Sequence, residues 1–69
     1  MSIGENIKKL REAKGITMAE LAECAFIATP QIAKYEAGAI CPNAVTAVYI
    51  AERLGTTVEK LVKGERHDI

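Results

Sequence analysis

The stretch "CAFIATPQIAKYEAG", residues 24–38, decides the fold. Its second half has the spacing of a helix with a polar outer face. Thr29-Pro30 opens that helix: proline suits a first helical turn, where no intrahelical bond needs its missing N–H, and it pushes the residue before it out of helical dihedrals. Thr29 is therefore placed at the N-cap and Pro30 at N1, with Ile32 and Tyr35 facing inward and Gly38 ending the helix. The first half, around "FIAT", is too short for anything but a sharp joint with a preceding helix. Such joints favour glycine, which takes left-handed dihedrals freely. Here Phe26 stands at the centre. Either it adopts the left-handed conformation at a cost of roughly 1–2 kcal/mol, offset by packing of its ring, or the preceding helix runs on and the turn is rebuilt around "IAT".

Working outward, helical spacing recurs along the chain and strand alternation does not. Toward the N-terminus, Thr17 and Glu20 form a capping-box pattern, with Ile16 and Leu21 at the staple positions, so a short helix begins there. Leu21, Ala22 and Ala25 give it a small apolar face. Ser2 and Glu5 form a second capping-box pattern that starts a first helix near Ile3. Ile3, Ile7 and Leu10 share one face of it, and Gly15 stops it. Toward the C-terminus, Asn43 caps a helix that runs to Leu54, with Gly55 beyond. Ala47, Ile50, Ala51 and Leu54 form its core stripe. Thr57 caps a short fifth helix packed through Val58, Leu61 and Val62. The expected fold is all-α: a compact five-helix domain over residues 1–63, with a flexible tail at 64–69.

Sixty-nine residues make one small domain whose core is marginal, since a chain of this size buries only about 60% of its unfolded surface. The two cysteines, Cys24 and Cys41, fall outside any CxxC pattern. They are expected to be reduced and part-buried, as in a cytoplasmic protein. With His67 the only histidine, no metal-ligand cluster exists, and no cofactor or small-molecule ligand is implied. No apolar run is long enough to span a membrane, and charges occupy the N-terminus where a signal peptide would be apolar. No acid/base pair or nucleophile–base pair suggests an enzyme. Acidic and basic side chains number nine each and cancel. Their placement is uneven: residues 1–14 set Lys8, Lys9, Arg11 and Lys14 against Glu5 and Glu12, whereas residues 15–52 set Lys34 alone against Glu20, Glu23, Glu36 and Glu52.

A short helix, a sharp turn and a second helix with a polar face, spanning about residues 17–37 within an all-helical domain, is the plan of a DNA-binding helix-turn-helix. The first helix braces across the backbone and the second enters the major groove. A helix of ~10–12 Å diameter fits a groove about 12 Å wide. The residues "IGENIKKLREAKGIT", "ELA" at 20–22, Ile32, Glu36, Gly38, Pro42, "IAERLGTT" at 50–57 and Leu61 recur at the spacing of one family. By them, the chain resembles the phage-repressor, or Cro/Xre-like, family of DNA-binding transcriptional regulators.

That resemblance implies roles. Arg11 and Glu36 correspond to the family's structural ion pair, which ties helix one to the end of helix three. Thr29, Pro30, Gln31 and Lys34 correspond to its base-reading positions. Gln31 offers the donor and acceptor that match adenine, Lys34 can donate to guanine or a phosphate, and Pro30 can touch a thymine methyl. Thr17, Met18, Lys8, Lys9 and Asn43 are candidates for phosphate contact. Four departures weaken the pattern. Met18 stands where many members carry a DNA-anchoring glutamine, although free N–H groups at a helix start can still hold a phosphate. Ala37 replaces a commonly polar contact. "AIC" at 39–41 lacks basic residues. Ala28 stands where a serine cap is usual, which leaves Thr29 to serve as cap. Each lost phosphate contact lowers the salt slope by about 0.9, so modest affinity per monomer is expected.

Residues 43–51, "NAVTAVYIA", carry no charge. The core stripe leaves Val45, Val48 and Tyr49 on the outer face, a candidate homodimer interface. The reading favoured by these features is a sequence-specific double-stranded DNA binder, a repressor-like dimer with helix three in the major groove. The alternative is a protein-interaction or antitoxin-like accessory domain that keeps the fold and binds DNA weakly or not at all, as the neutral charge, Met18 and the bare 39–41 loop allow.

Overall fold

The glycines and caps punctuate the chain into five helices. The computed structural model describes residues 3–64, over which α1 (Ile3–Ala13), α2 (Met18–Cys24), α3 (Thr29–Glu36), α4 (Ala44–Arg53) and α5 (Val58–Lys63) follow in order. Ser2, His67 and all but Gly64 of the tail lie outside the described residues. Thr17 and Glu20 make the reciprocal capping box: the Glu20 N–H donates to the Thr17 hydroxyl at 3.1 Å, and the Thr17 N–H donates to the Glu20 carboxylate at 2.9 Å. Asn43 and Thr57 cap α4 and α5 by accepting from the backbone N–H three residues on.

The turn after α2 keeps the left-handed conformation: Phe26 has φ 60°. The Phe26 N–H donates to the Glu23 carbonyl and the Ile27 N–H to the Ala22 carbonyl. This pair of bonds defines a Schellman stop and forces its central residue into the left-handed region. The same pair closes α1, α3 and α4, where that central residue is Gly15, Gly38 and Gly55. Phe26 is thus the one side chain at a position filled three times by glycine. Its ring is not buried to compensate: Phe26 is 79% exposed and touches the Tyr49 ring edge-on, centroids 5.2 Å apart.

The core gathers Ile7, Ile16, Leu21, Ala22, Ala25, Ile32, Tyr35, Ile50, Ala51, Leu54 and Leu61, with Ile3, Leu10, Met18, Ile27 and Val58 packed around it. Val62 does not join it as expected. It is exposed, because on so short a helix Leu61 takes the inward position. Both cysteines are likewise exposed, not part-buried: Cys24 follows the buried Leu21–Ala22 face by two to three residues and so points outward, and Cys41 sits in the loop before α4.

Two contacts joining the elements depend on residues whose type carries no local signal. Asn6, buried on α1, donates from Nδ2 to the Leu61 carbonyl on α5 at 2.6 Å. Gly4, also on α1, lies so near α3 that a Cβ there would come within 1.9 Å of the Tyr35 carbonyl oxygen. That oxygen belongs to the backbone and cannot swing aside. Gly4→Ala therefore has to part α1 from the last turn of α3. We expect a loss of about 2–3 kcal/mol in urea denaturation, the upper range for overpacking; a variant as stable as the parent would show that the two helices have room to spare.

Candidate nucleic-acid interface

The position of α3 is fixed from its C-terminal end. Arg11 Nε donates to Glu36 Oε2 at 2.6 Å, and Arg11 Nη2 donates to Oε1 at 3.1 Å, a two-point bond. Arg11 Nη1 donates to the Ile16 carbonyl at 2.9 Å. Both charged side chains are largely covered, 11% exposed for Arg11 and 4% for Glu36. The bond to Glu36 raises the guanidinium pKa above its ordinary value, against the effect of burial. The pair expected between the ends of α1 and α3 is present. Removing one partner of a buried pair costs ~3–5 kcal/mol, so Arg11 and Glu36 are scaffold and unavailable for reading bases.

The opposite end of α3 is open. Thr29 and Pro30 are exposed there and Gln31 is half-buried, and Ala33, Lys34 and Ala37 continue the exposed outer face toward the C-terminal end. The structure moves the start of this helix by one residue from the sequence expectation. Ala28, with extended φ −79° and ψ 149°, is the N-cap and gives no side-chain cap bond. Thr29 is then the first helical residue and Pro30 the second. Proline's missing N–H is tolerated there too, because the first four N–H groups of a helix have no intrahelical partner. The Ala28 carbonyl accepts from the Gln31 N–H at 2.9 Å. The Thr29 hydroxyl is consequently not committed to capping, and it projects from the same turn as Pro30 and Gln31.

The remaining sequence candidates are dispersed. Lys8 and Lys9 are exposed on α1, but they line a shallow groove with Glu5, Glu12 and Glu36, beside the far end of α3. Thr17 and Asn43 have their side-chain oxygens in the α2 and α4 caps. Met18 is half-buried against the core, so its side chain serves packing and only its position at the start of α2 points toward an anion. A second depression, between α2 and the start of α3, is lined by Glu20 and Glu23 as well as Ile27, Ala28 and Thr29. Negative charge therefore sits next to the open end of α3. Val45, Val48 and Tyr49 are exposed on α4 as expected. Sequence reasoning did not connect Phe26 to them; the signal was an aromatic at a glycine position, but the Tyr49 contact is tertiary.

An N-terminal brace, a Schellman turn and a helix with one end open are the parts of a helix-turn-helix, and the comparisons with known proteins agree. The sequence model of the "Helix-turn-helix domain" family matches residues 4–66, and the chain belongs to that family. It is 31% identical over 65 residues to the HTH-type transcriptional activator BcrR of Enterococcus faecalis, covering 94% of this chain and 32% of that protein. It is 33% identical over 64 residues to the uncharacterized HTH-type transcriptional regulator YqaE of Bacillus subtilis (strain 168), covering 93% of this chain and 55% of that protein. The chain thus spans a third to a half of the length of these relatives. Among solved structures, the P22 c2 repressor in complex with a synthetic operator superposes with a TM-score of 0.89 at 23% identity, covering 94% of this chain and 98% of that one. SinR, a master regulator for biofilm formation solved in complex with DNA, gives 0.79 at 30% identity, covering 86% and 95%. BcrR and YqaE are both described as HTH-type regulators of transcription. No helix among the described residues is long and apolar enough to cross a membrane.

The capping box that orients α2 is sensitive to acid. The Thr17 N–H, then the Thr17 hydroxyl, hold the Glu20 carboxyl below its ordinary pKa. A depressed carboxyl contributes stability above its unfolded value and loses it as pH falls through the folded value. The difference in melting temperature between the protein and Glu20→Ala should therefore be present at neutral pH and shrink on acidification below the usual carboxylate range. A difference that persists unchanged in strong acid would contradict this role.

Proposed function

We propose that the chain binds double-stranded DNA in a sequence-dependent way, with the first turn of α3 in the major groove, and that it acts as a dimeric, repressor-like transcriptional regulator. The observation that carries this reading is the asymmetry of α3. Its C-terminal end is pinned by Arg11 and Glu36, while Thr29, Pro30 and Gln31 stand in the accessible first turn and Lys34, in the last turn, is exposed on the outer face. Gln31 and Lys34 supply the hydrogen bonds, Pro30 an apolar contact, and Thr29 a hydroxyl free of the cap. The relatives' names support regulation of transcription.

The electrostatics set the expected strength. Glu20 and Glu23 border the start of α3, Met18 replaces a polar anchor, and Lys8 and Lys9 stand beside Glu36. One copy then makes few phosphate contacts, so two copies on half-sites about 34 Å apart provide the affinity, joined through Val45, Val48 and Tyr49. Thr17, Met18, Lys8, Lys9 and Asn43 remain the candidates for those backbone contacts. Action in the cytoplasm, where such DNA is found, completes the reading.

Binding to the promoter DNA beside its own gene, measured by fluorescence anisotropy across a salt series, tests it. Preference for one sequence with a negative salt slope is expected. Gln31→Ala with Lys34→Ala should erase the preference, since each good base contact discriminates by ~1–3 kcal/mol, while leaving the fold intact. Equal, feeble binding to every duplex would overturn the proposal in favour of a protein-interaction domain.

A further inference from the structure

The left-handed dihedral at Phe26 is required by the Schellman bonds that end α2. Glycine meets that requirement without penalty; a side chain is strained there. Within its own chain the ring recovers little. It is 79% exposed, and its one aromatic contact, edge-on to Tyr49, is an attraction of about the same size as the strain. Strain and contact nearly cancel, so an isolated copy gains nothing over glycine. The ring becomes favourable only when something covers it.

Tyr49 shows where the cover lies. It stands on the outer face of α4 with Val45 and Val48, at 38%, 63% and 43% exposure, one helical turn apart. Phe26 extends that stripe across to the turn of the helix-turn-helix. The segments that build the patch are uncharged from Cys24 to Ala33 and from Asn43 to Ala51. We infer that Phe26 anchors a self-association surface, made with Tyr49, Val45 and Val48, on which a second copy of this chain docks about a two-fold axis. This rests on the proposal that the chain acts as a dimer, and it adds the residue that holds the dimer together.

A second copy suits the patch because an uncharged surface meets its own image without like-charge repulsion, and a two-fold contact sets Phe26 of each copy against the α4 stripe of the other. The area then limits the strength. With aromatic side chains of ~150–250 Å², the four exposed groups offer roughly 400 Å² per copy. Two copies give about 800 Å², short of the ~1,200–2,000 Å² of a stable interface. The pair is therefore weak in free solution and is completed on DNA, where two adjacent half-sites hold the copies at high effective concentration. Dimerisation becomes part of operator recognition.

The test compares the protein with Phe26→Gly, using thermal melting at low concentration, sedimentation across a concentration series, and binding to duplexes carrying one or two half-sites. Phe26→Gly should melt at or above the parent temperature, associate at least about 10-fold more weakly, as for an interface hot spot, and lose cooperative binding to two half-sites while keeping single half-site affinity. Phe26→Asn, whose side chain tolerates left-handed dihedrals, should behave the same way. A folded Phe26→Gly that associates like the parent overturns the anchor role and leaves the dimer standing. So does a marked drop in melting temperature, which would mean that the ring serves its own chain. A parent that stays monomeric on and off two-half-site DNA overturns the dimer and the anchor together.

Discussion

The structure depends on one guanidinium. Arg11 reaches from the last turns of α1 to Glu36 at the end of α3 and to the Ile16 carbonyl in the turn before α2. A single side chain thereby fixes three segments that share no continuous helix. A lysine could not replace it, since one ammonium cannot make a planar two-point bond to a carboxylate and also reach a carbonyl. The close approach at Gly4 works at the same place, because α1 meets α3 at Tyr35 and Glu36. Both contacts hold the C-terminal end of α3 and leave its first turn uncommitted. The candidate reading surface is what remains when Ile32 and Tyr35 face the core and the charged anchor sits at the other end.

Charge explains why such a surface would act in pairs. The acids outnumber the bases between residues 15 and 52, and two of them, Glu20 and Glu23, line the depression that includes Thr29. One of these, Glu20, has a structural role there, because its carboxylate is the acceptor of the capping box that starts α2. The fold and the phosphate backbone thus make opposite demands on the same residue. The proposed apolar contact between copies, anchored at the strained turn, would offset that conflict without adding positive charge.

Much of this was legible in the sequence because its signals are local. Thr17-x-x-Glu20, Asn43 and Thr57 are helix starts that require only neighbouring N–H groups, and all three are found as caps. The stripe Ala47, Ile50, Ala51 and Leu54 follows from helical period alone and is buried. The Arg11–Glu36 pair was legible only by resemblance, since the two residues are 25 positions apart. What escaped was tertiary or degenerate. Gly4 looks like a weak helix residue until α3 is placed against it. Asn6 looks like a surface amide until the Leu61 carbonyl is placed above it. Pro30 is acceptable at either of the first two helical positions, so the sequence alone places Thr29 at the cap where the structure makes it the first helical residue. Phe26 allowed two backbone solutions, and only the observed φ chose between them.

The central claim is that α3 meets DNA with its first turn. Amide chemical shifts of the 15N-labelled chain, followed through a titration with its promoter duplex, test it most directly. The account predicts the largest perturbations from Thr29 to Lys34, with smaller ones at the start of α2 around Met18. Perturbations confined to residues 45–49, or spread evenly over the exposed lysines of α1, would contradict it.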